Sequence, residues 1–134
     1  MKKLLISFVL GFITFSILGG IFAYLVFLPE FAIWYELHPD TVRGTPELIS
    51  GTTLAVIQLI ALVILMDKLK IDTLKGGTIF GIIFSAVLWL IIDLQMISMT
   101  NIFSYDYLLK DTLLSGVLGA FGGLVIAWSQ KKYS

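Results

Sequence analysis

The sequence predicts an all-α fold, a four-helix transmembrane bundle, and three observations carry that prediction. The chain is 58% hydrophobic and only 13% charged, where an ordinary soluble domain is about 25% charged. Its apolar residues collect into four runs, residues 4–29, 47–66, 76–99 and 111–128, each at or near the roughly 20 residues that cross about 30 Å of hydrocarbon. The links between the runs are short, which favours an up-down-up-down order. Helices are required because lipid offers backbone groups no hydrogen-bond partner. A single integral-membrane domain accounts for residues 1–134.

The first run follows Lys2 and Lys3 and stays apolar from Leu4 to Leu28. It is longer than the roughly 7–15 residues of a secretory h-region. The best cleavage candidate, after Ala23, has the large Ile21 two positions before it, so an uncleaved span is expected. Pro29 cannot donate the next helical hydrogen bond and is expected to stop the helix. The link EFAIWYELHPDTVRGTP then begins with Phe31, Ile33, Trp34 and Leu37. This short amphipathic segment is expected to lie in the interface, where Trp34 and Tyr35 suit the headgroup region. His38-Pro39-Asp40 and Arg43-Gly44 carry turn chemistry. His38 has no metal-ligand spacing around it and reads as solvated.

Thr45-Pro46-Glu47 reads as a helix start: Thr45 as cap, Pro46 at the first position, Glu47 against the positive end of the dipole. The second run reaches Met66 and holds one strongly polar side chain, Gln58. A basic link, DKLKIDTLK, leads to the third run, GGTIFGIIFSAVLWLIIDLQMISM. TNIFSYDYLLK leads to the fourth, from Asp111 to Trp128, and SQKKYS closes the chain.

Charge placement predicts orientation. With both termini in the cytoplasm, seven Lys residues lie inside (2, 3, 68, 70, 75, 131 and 132), and only Arg43 and Lys110 lie outside. This is the positive-inside pattern, and it predicts an N-in, C-in protein of the inner (plasma) membrane.

Spans associate in lipid through close packing of small residues and through polar contacts. The fourth span repeats Ser115, Gly119, Gly123 and Ala127 every four residues. The third offers Gly77, Gly81 and Ser85, and the first offers Ser7, Gly11, Gly19 and Ala23. Two readings follow: these faces pack the bundle internally, or the fourth span forms a homodimer seam.

Asp93 is the one acid well inside an apolar run. At about 1.5 Å per residue it lies about 24 Å along the helix from Gly77, toward the outer third of a bilayer. Its face holds Trp89, Ala86, Ser85, Ile82 and Thr78, which suits a bundle interior. A buried carboxylate needs a partner, a proton or water. Asp93 is therefore either a proton- or cation-binding acid or a polar contact that stabilises the fold. Asp111 reads as a helix cap, but it also faces the stripe that begins at Ser115. Placed near Asp93, it could complete a shallow acidic site. Gln58 shares its face with Gly51, Ala55 and Ala61, pointing inward, where an interhelical hydrogen bond is its simplest role.

Other chemistry is excluded or unsupported. The nine Lys plus Arg balance nine Asp plus Glu, which gives no pull toward nucleic acid. The chain has no cysteine, so thiol nucleophiles, disulfides and cysteine-held metals are absent. No phosphate loop, Ser-His-Asp set or HExxH motif is present. No cofactor is expected and no catalytic residue is assigned. The lipid bilayer is the expected surrounding.

Lys75-Gly76-Gly77, then Gly81, then Asp111 entering a span with Gly119, Gly122, Gly123 and Trp128, resembles small four-span bacterial inner-membrane proteins of unknown function. The Gly11–Tyr24 region is similar more loosely. The resemblance implies a four-helix bundle in the inner membrane and lends no catalytic residue. Three functional readings result. The first is a non-enzymatic membrane protein with a structural or interaction role. The second is a small proton- or cation-coupled transporter or channel subunit using Asp93. The third is a membrane-embedded aspartate hydrolase using Asp93 and Asp111.

Overall fold

A computed structural model describes residues 1–134 as four helices with no strand. Helix α1 spans Lys2–Leu37, α2 Leu48–Lys68, α3 Leu74–Met99 and α4 Tyr105–Lys132. All four are long and apolar enough to cross a membrane.

Helix α1 does not stop at Pro29. It runs for 36 residues, because the stretch Ala23–Phe27 widens into a π-helical turn in which the Leu28 N–H bonds to the Ala23 carbonyl. The wider turn re-registers the ladder just ahead of the proline, so that the N–H missing at Pro29 interrupts one bond without ending the helix. At about 1.5 Å per residue α1 is about 54 Å long, well beyond a hydrocarbon core. Its last turns pack on the start of α4, where Trp34 meets Tyr107 and Glu30 pairs with Lys110.

Two helix starts also differ from expectation. Thr45 and Pro46 lie outside α2, which begins after Glu47. The Glu47 carboxylate accepts a hydrogen bond from the Ser50 hydroxyl at 2.5 Å and caps no backbone group. Asp111 is not a cap: α4 begins six residues earlier, where the Ser104 hydroxyl accepts the Tyr107 N–H at 3.1 Å. Thr73 does the same for α3, accepting the Gly76 N–H at 3.0 Å.

The α3–α4 seam is the backbone of the fold. A Cβ on Gly77 would strike the Gly123 carbonyl, and one on Gly81 would strike the Gly119 carbonyl. Residue numbers run in opposite directions across the seam. The stripe Ser115, Gly119, Gly123 and Ala127 is buried within this one chain. Removing Cβ atoms lets two backbones approach, and dispersion over the whole contact replaces the hydrophobic drive that lipid does not supply.

At the end that carries both termini, α1 and α2 close onto this pair. Leu59, Leu62, Val63 and Met66 of α2 pack with Ile126 and Ala127. Gly11 lets α1 approach Leu59 and Ile126. Ser7 and Ser129 share a buried hydrogen bond of 2.6 Å, and Ser129 also donates to the Ile126 carbonyl at 2.9 Å. Gln130 donates to the Val63 carbonyl at 3.1 Å, and Lys3 pairs with Asp67 at 2.6 Å.

Helix α2 ends in a Schellman motif. Lys70 takes a positive φ of 56°, Lys70 N–H bonds to Asp67 and Ile71 N–H to Met66. Ile71 then packs on the core beside Met66. The opposite half of α2, Leu48 to Ile57, has no buried residue. It stands away from the other helices.

Candidate functional site

Because α2 is fastened at one end only, a cleft opens along its other half. Its volume is about 460 Å³. One wall is α1, with Phe15, Gly19, Ala23, Phe27 and Phe31; another is α2, with Gly51, Leu54, Ala55 and Gln58. The back is the α3–α4 pair, presenting Trp89, Tyr107, Asp111, Ser115 and Leu118. A second cavity of about 550 Å³ lies between α1 and α2, shares Phe15, Gly19, Ala23, Gly51 and Ala55 with the first, and adds Ser16, Gly20 and Thr52 to the lining. Gly19, Gly20 and Gly51 have no atom within 4 Å of where a Cβ would stand. Gly19 and Ala23 therefore shape this space and do not pack a helix seam.

Asp111 lines the cleft while only 5% of its surface is exposed. Its Oδ1 accepts the Ser115 hydroxyl at 3.2 Å. Directly behind it, on α3, is Asp93, 1% exposed. Asp111 is the neighbouring acid of Asp93, and Asp93 Oδ2 receives no hydrogen bond from the protein. Neither acid has a basic partner: the ion pairs of the molecule join Lys3 to Asp67 and Lys110 to Asp106 and Glu30. A buried acid without a cationic side chain is costly unless it is paired or hydrogen-bonded.

An aromatic cluster covers the far end of the pair. Trp34 lies 4.7 Å from the Tyr107 ring and 4.8 Å from Phe103, centre to centre, and Phe27 meets Tyr107 edge-on at 6.2 Å. Trp34 is thus a buried packing residue at 9% exposure and not an interfacial anchor. Tyr35 stays exposed, with Gly44 of the following loop against its ring. Lys110, above the cluster, is held by Asp106 at 3.1 Å and Glu30 at 3.8 Å.

The structure thus brings Asp93, Asp111 and the cleft together and places Gln58 on the facing wall, half-buried. The interhelical amide hydrogen bond expected of Gln58 is made instead by Gln130. Tyr107 and Gln130 were not foreseen as site or packing residues, whereas Trp89 lines the cleft as a residue of the inward face of Asp93. Tyr107 did leave a signal: it continues the four-residue stripe Asp111, Ser115, Gly119 by one step toward the N-terminus. No group of three His, Asp or Glu is arranged to hold a metal ion. No protein-family model, curated protein or solved structure matches this chain.

Proposed function

We propose that this is a multi-pass protein of the inner membrane, up-down-up-down with both termini cytoplasmic, and that it is a small proton- or cation-coupled transporter or channel subunit. The orientation rests on the Lys and Arg asymmetry, and it directs the cleft toward the outer side. The functional reading rests on one observation: a carboxyl without a basic partner, Asp111, lines an open cleft beside a second, buried carboxyl, Asp93. Intramembrane acids in such surroundings mark proton and ion paths.

The alternatives draw less support. A purely structural role suits a fully packed interior, whereas half of α2 leaves a cleft unfilled. A two-carboxylate hydrolase needs both acids at the scissile bond, and Asp93 lies behind Asp111 outside the cleft lining. The resemblance to four-span bacterial membrane proteins is compatible with this reading. A homodimer through α4 would use Leu113, Val117 and Phe121, which face outward, since α3 covers the small-residue stripe.

The test is proton movement. In proteoliposomes loaded with a pH-reporting dye, the wild-type protein should carry protons or exchange them for a cation, and Asp93→Asn and Asp111→Asn should each abolish the signal. Tyr107 lines the cleft with Asp111 and Glu30 pairs with Lys110, so Tyr107→Phe and Glu30→Gln serve as comparisons that should retain it. Unchanged flux in both Asp variants would overturn the proposal.

A further inference from the structure

The lining of the cleft specifies more than a proton. We infer that it binds a lipophilic organic monocation, admitted sideways between α1 and α2, with its charge at Asp111 and its apolar groups against Phe15, Phe27 and Leu54. Three observations converge on that class. The cleft's charged side chain is an acid, and no Lys, Arg or His is paired with it. Much of the remaining lining is apolar or aromatic, and Phe27, Trp89 and Tyr107 offer ring surfaces near the acid. Such surfaces attract cations, most strongly when desolvated. The volume, about 460 Å³, falls in the range of about 300–1,000 Å³ typical of small-molecule sites.

The same observations weigh against the other occupants. A bare divalent ion wants about six or more oxygen ligands, and the pair offers two carboxyls with Ser115 alongside. An anion would meet Asp111 with no compensating positive group. A neutral lipid chain would fill the apolar walls but leave the acid without its counter-charge. Entry from the side is open because Gly19, Gly20 and Gly51 present no side chain there. Gln58 lines the wall formed by α2.

This inference rests on the reading of Asp111 as a cation-accepting group, and it does not require transport. The probe pair is tetraphenylphosphonium and tetraphenylborate, near-isosteric ions of opposite sign. Binding is measured by equilibrium dialysis against the protein in nanodiscs of zwitterionic lipid, with empty nanodiscs subtracted. Saturable binding of the phosphonium, at one per chain, is expected, together with no saturable binding of the borate. Asp111→Asn should weaken the phosphonium at least about tenfold, since it removes the counter-charge. Leu54→Trp, at a partly exposed lining position, should weaken it by obstruction with the acid intact, and its thermal stability reports that the fold survives. Equal binding of both ions would show an apolar groove only, and would overturn the inference. So would phosphonium binding unaffected by either variant. Proton flux without phosphonium binding would overturn the ligand class and leave the proton site standing. Phosphonium binding without proton flux would do the reverse.

Discussion

Along the α3–α4 seam, Gly77, Gly81, Gly119 and Gly123 stand where a methyl group would strike the facing helix. Along the α1–α2 cleft, Gly19, Gly20 and Gly51 face nothing within 4 Å. The residue type is the same and the consequence opposite. In the seam, the missing side chain is replaced by another backbone, so the glycines bring two helices into contact. In the cleft nothing replaces it, so the glycines hold two helices' surfaces apart and leave room for a guest. The difference arises from the partner: a second small-residue stripe exists on α4 to meet α3, whereas the half of α2 from Leu48 to Ile57 is bulky at Leu48, Ile49, Leu54 and Ile57, all exposed.

The comparison breaks most visibly at Gly81. Gly81→Leu must push α4 away along its backbone, which no rotamer change can relieve. A loss of about 3 kcal/mol or more is expected, read as collapse of the folded fraction after mild heating in detergent. Retention of wild-type stability would show that the seam is not the closest contact of the fold.

Access gives a second, smaller contrast, and the absence of native cysteine makes it clean. Ala55→Cys, on the cleft wall, should react with a small water-soluble maleimide at least about tenfold faster than Ser85→Cys, which is buried in the seam. Equal rates would mean that the cleft closes in the membrane. The smallest effect is expected at Gly51→Ala. A methyl group there meets open space and favours the helix, so stability should change by no more than about 1 kcal/mol, in the stabilising direction. A clear loss of stability would show that another segment occupies that space.

These contrasts mark what the sequence made legible. Four helices follow from apolar run length, since 20-odd residues without charge have few other uses. The seam follows from the four-residue spacing of Gly and Ser on two runs. The glycines of the first run, at similar spacing, could not be told apart from those of the seam, because spacing records a smooth face and says nothing of what lies against it. Asp111 was misplaced for a local reason: YDYLLK carries two charges and reads as a link, although Tyr107 and Leu108 are buried helix residues. Gln130 was hidden in a polar tail, and its value lies in the Val63 carbonyl, which is 67 residues distant. The π turn was invisible because no residue in AYLVF demands its widened bonding.

That turn also governs the phase of α1. A row of residues four apart drifts by about 40° per step around an α-helix, so that Phe31 would stand about 160° from Phe15 after four steps. Yet Phe15, Gly19, Ala23, Phe27 and Phe31 all face one cleft. The extra residue accommodated between Ala23 and Phe27 takes back about 100° of that rotation. A single-residue deletion inside Ala23–Phe27 would therefore restore an unbroken α-helix with Phe31 still on the wall and Trp34 still on Tyr107, whereas straightening the turn at unchanged length would rotate both by about 100° and carry them away.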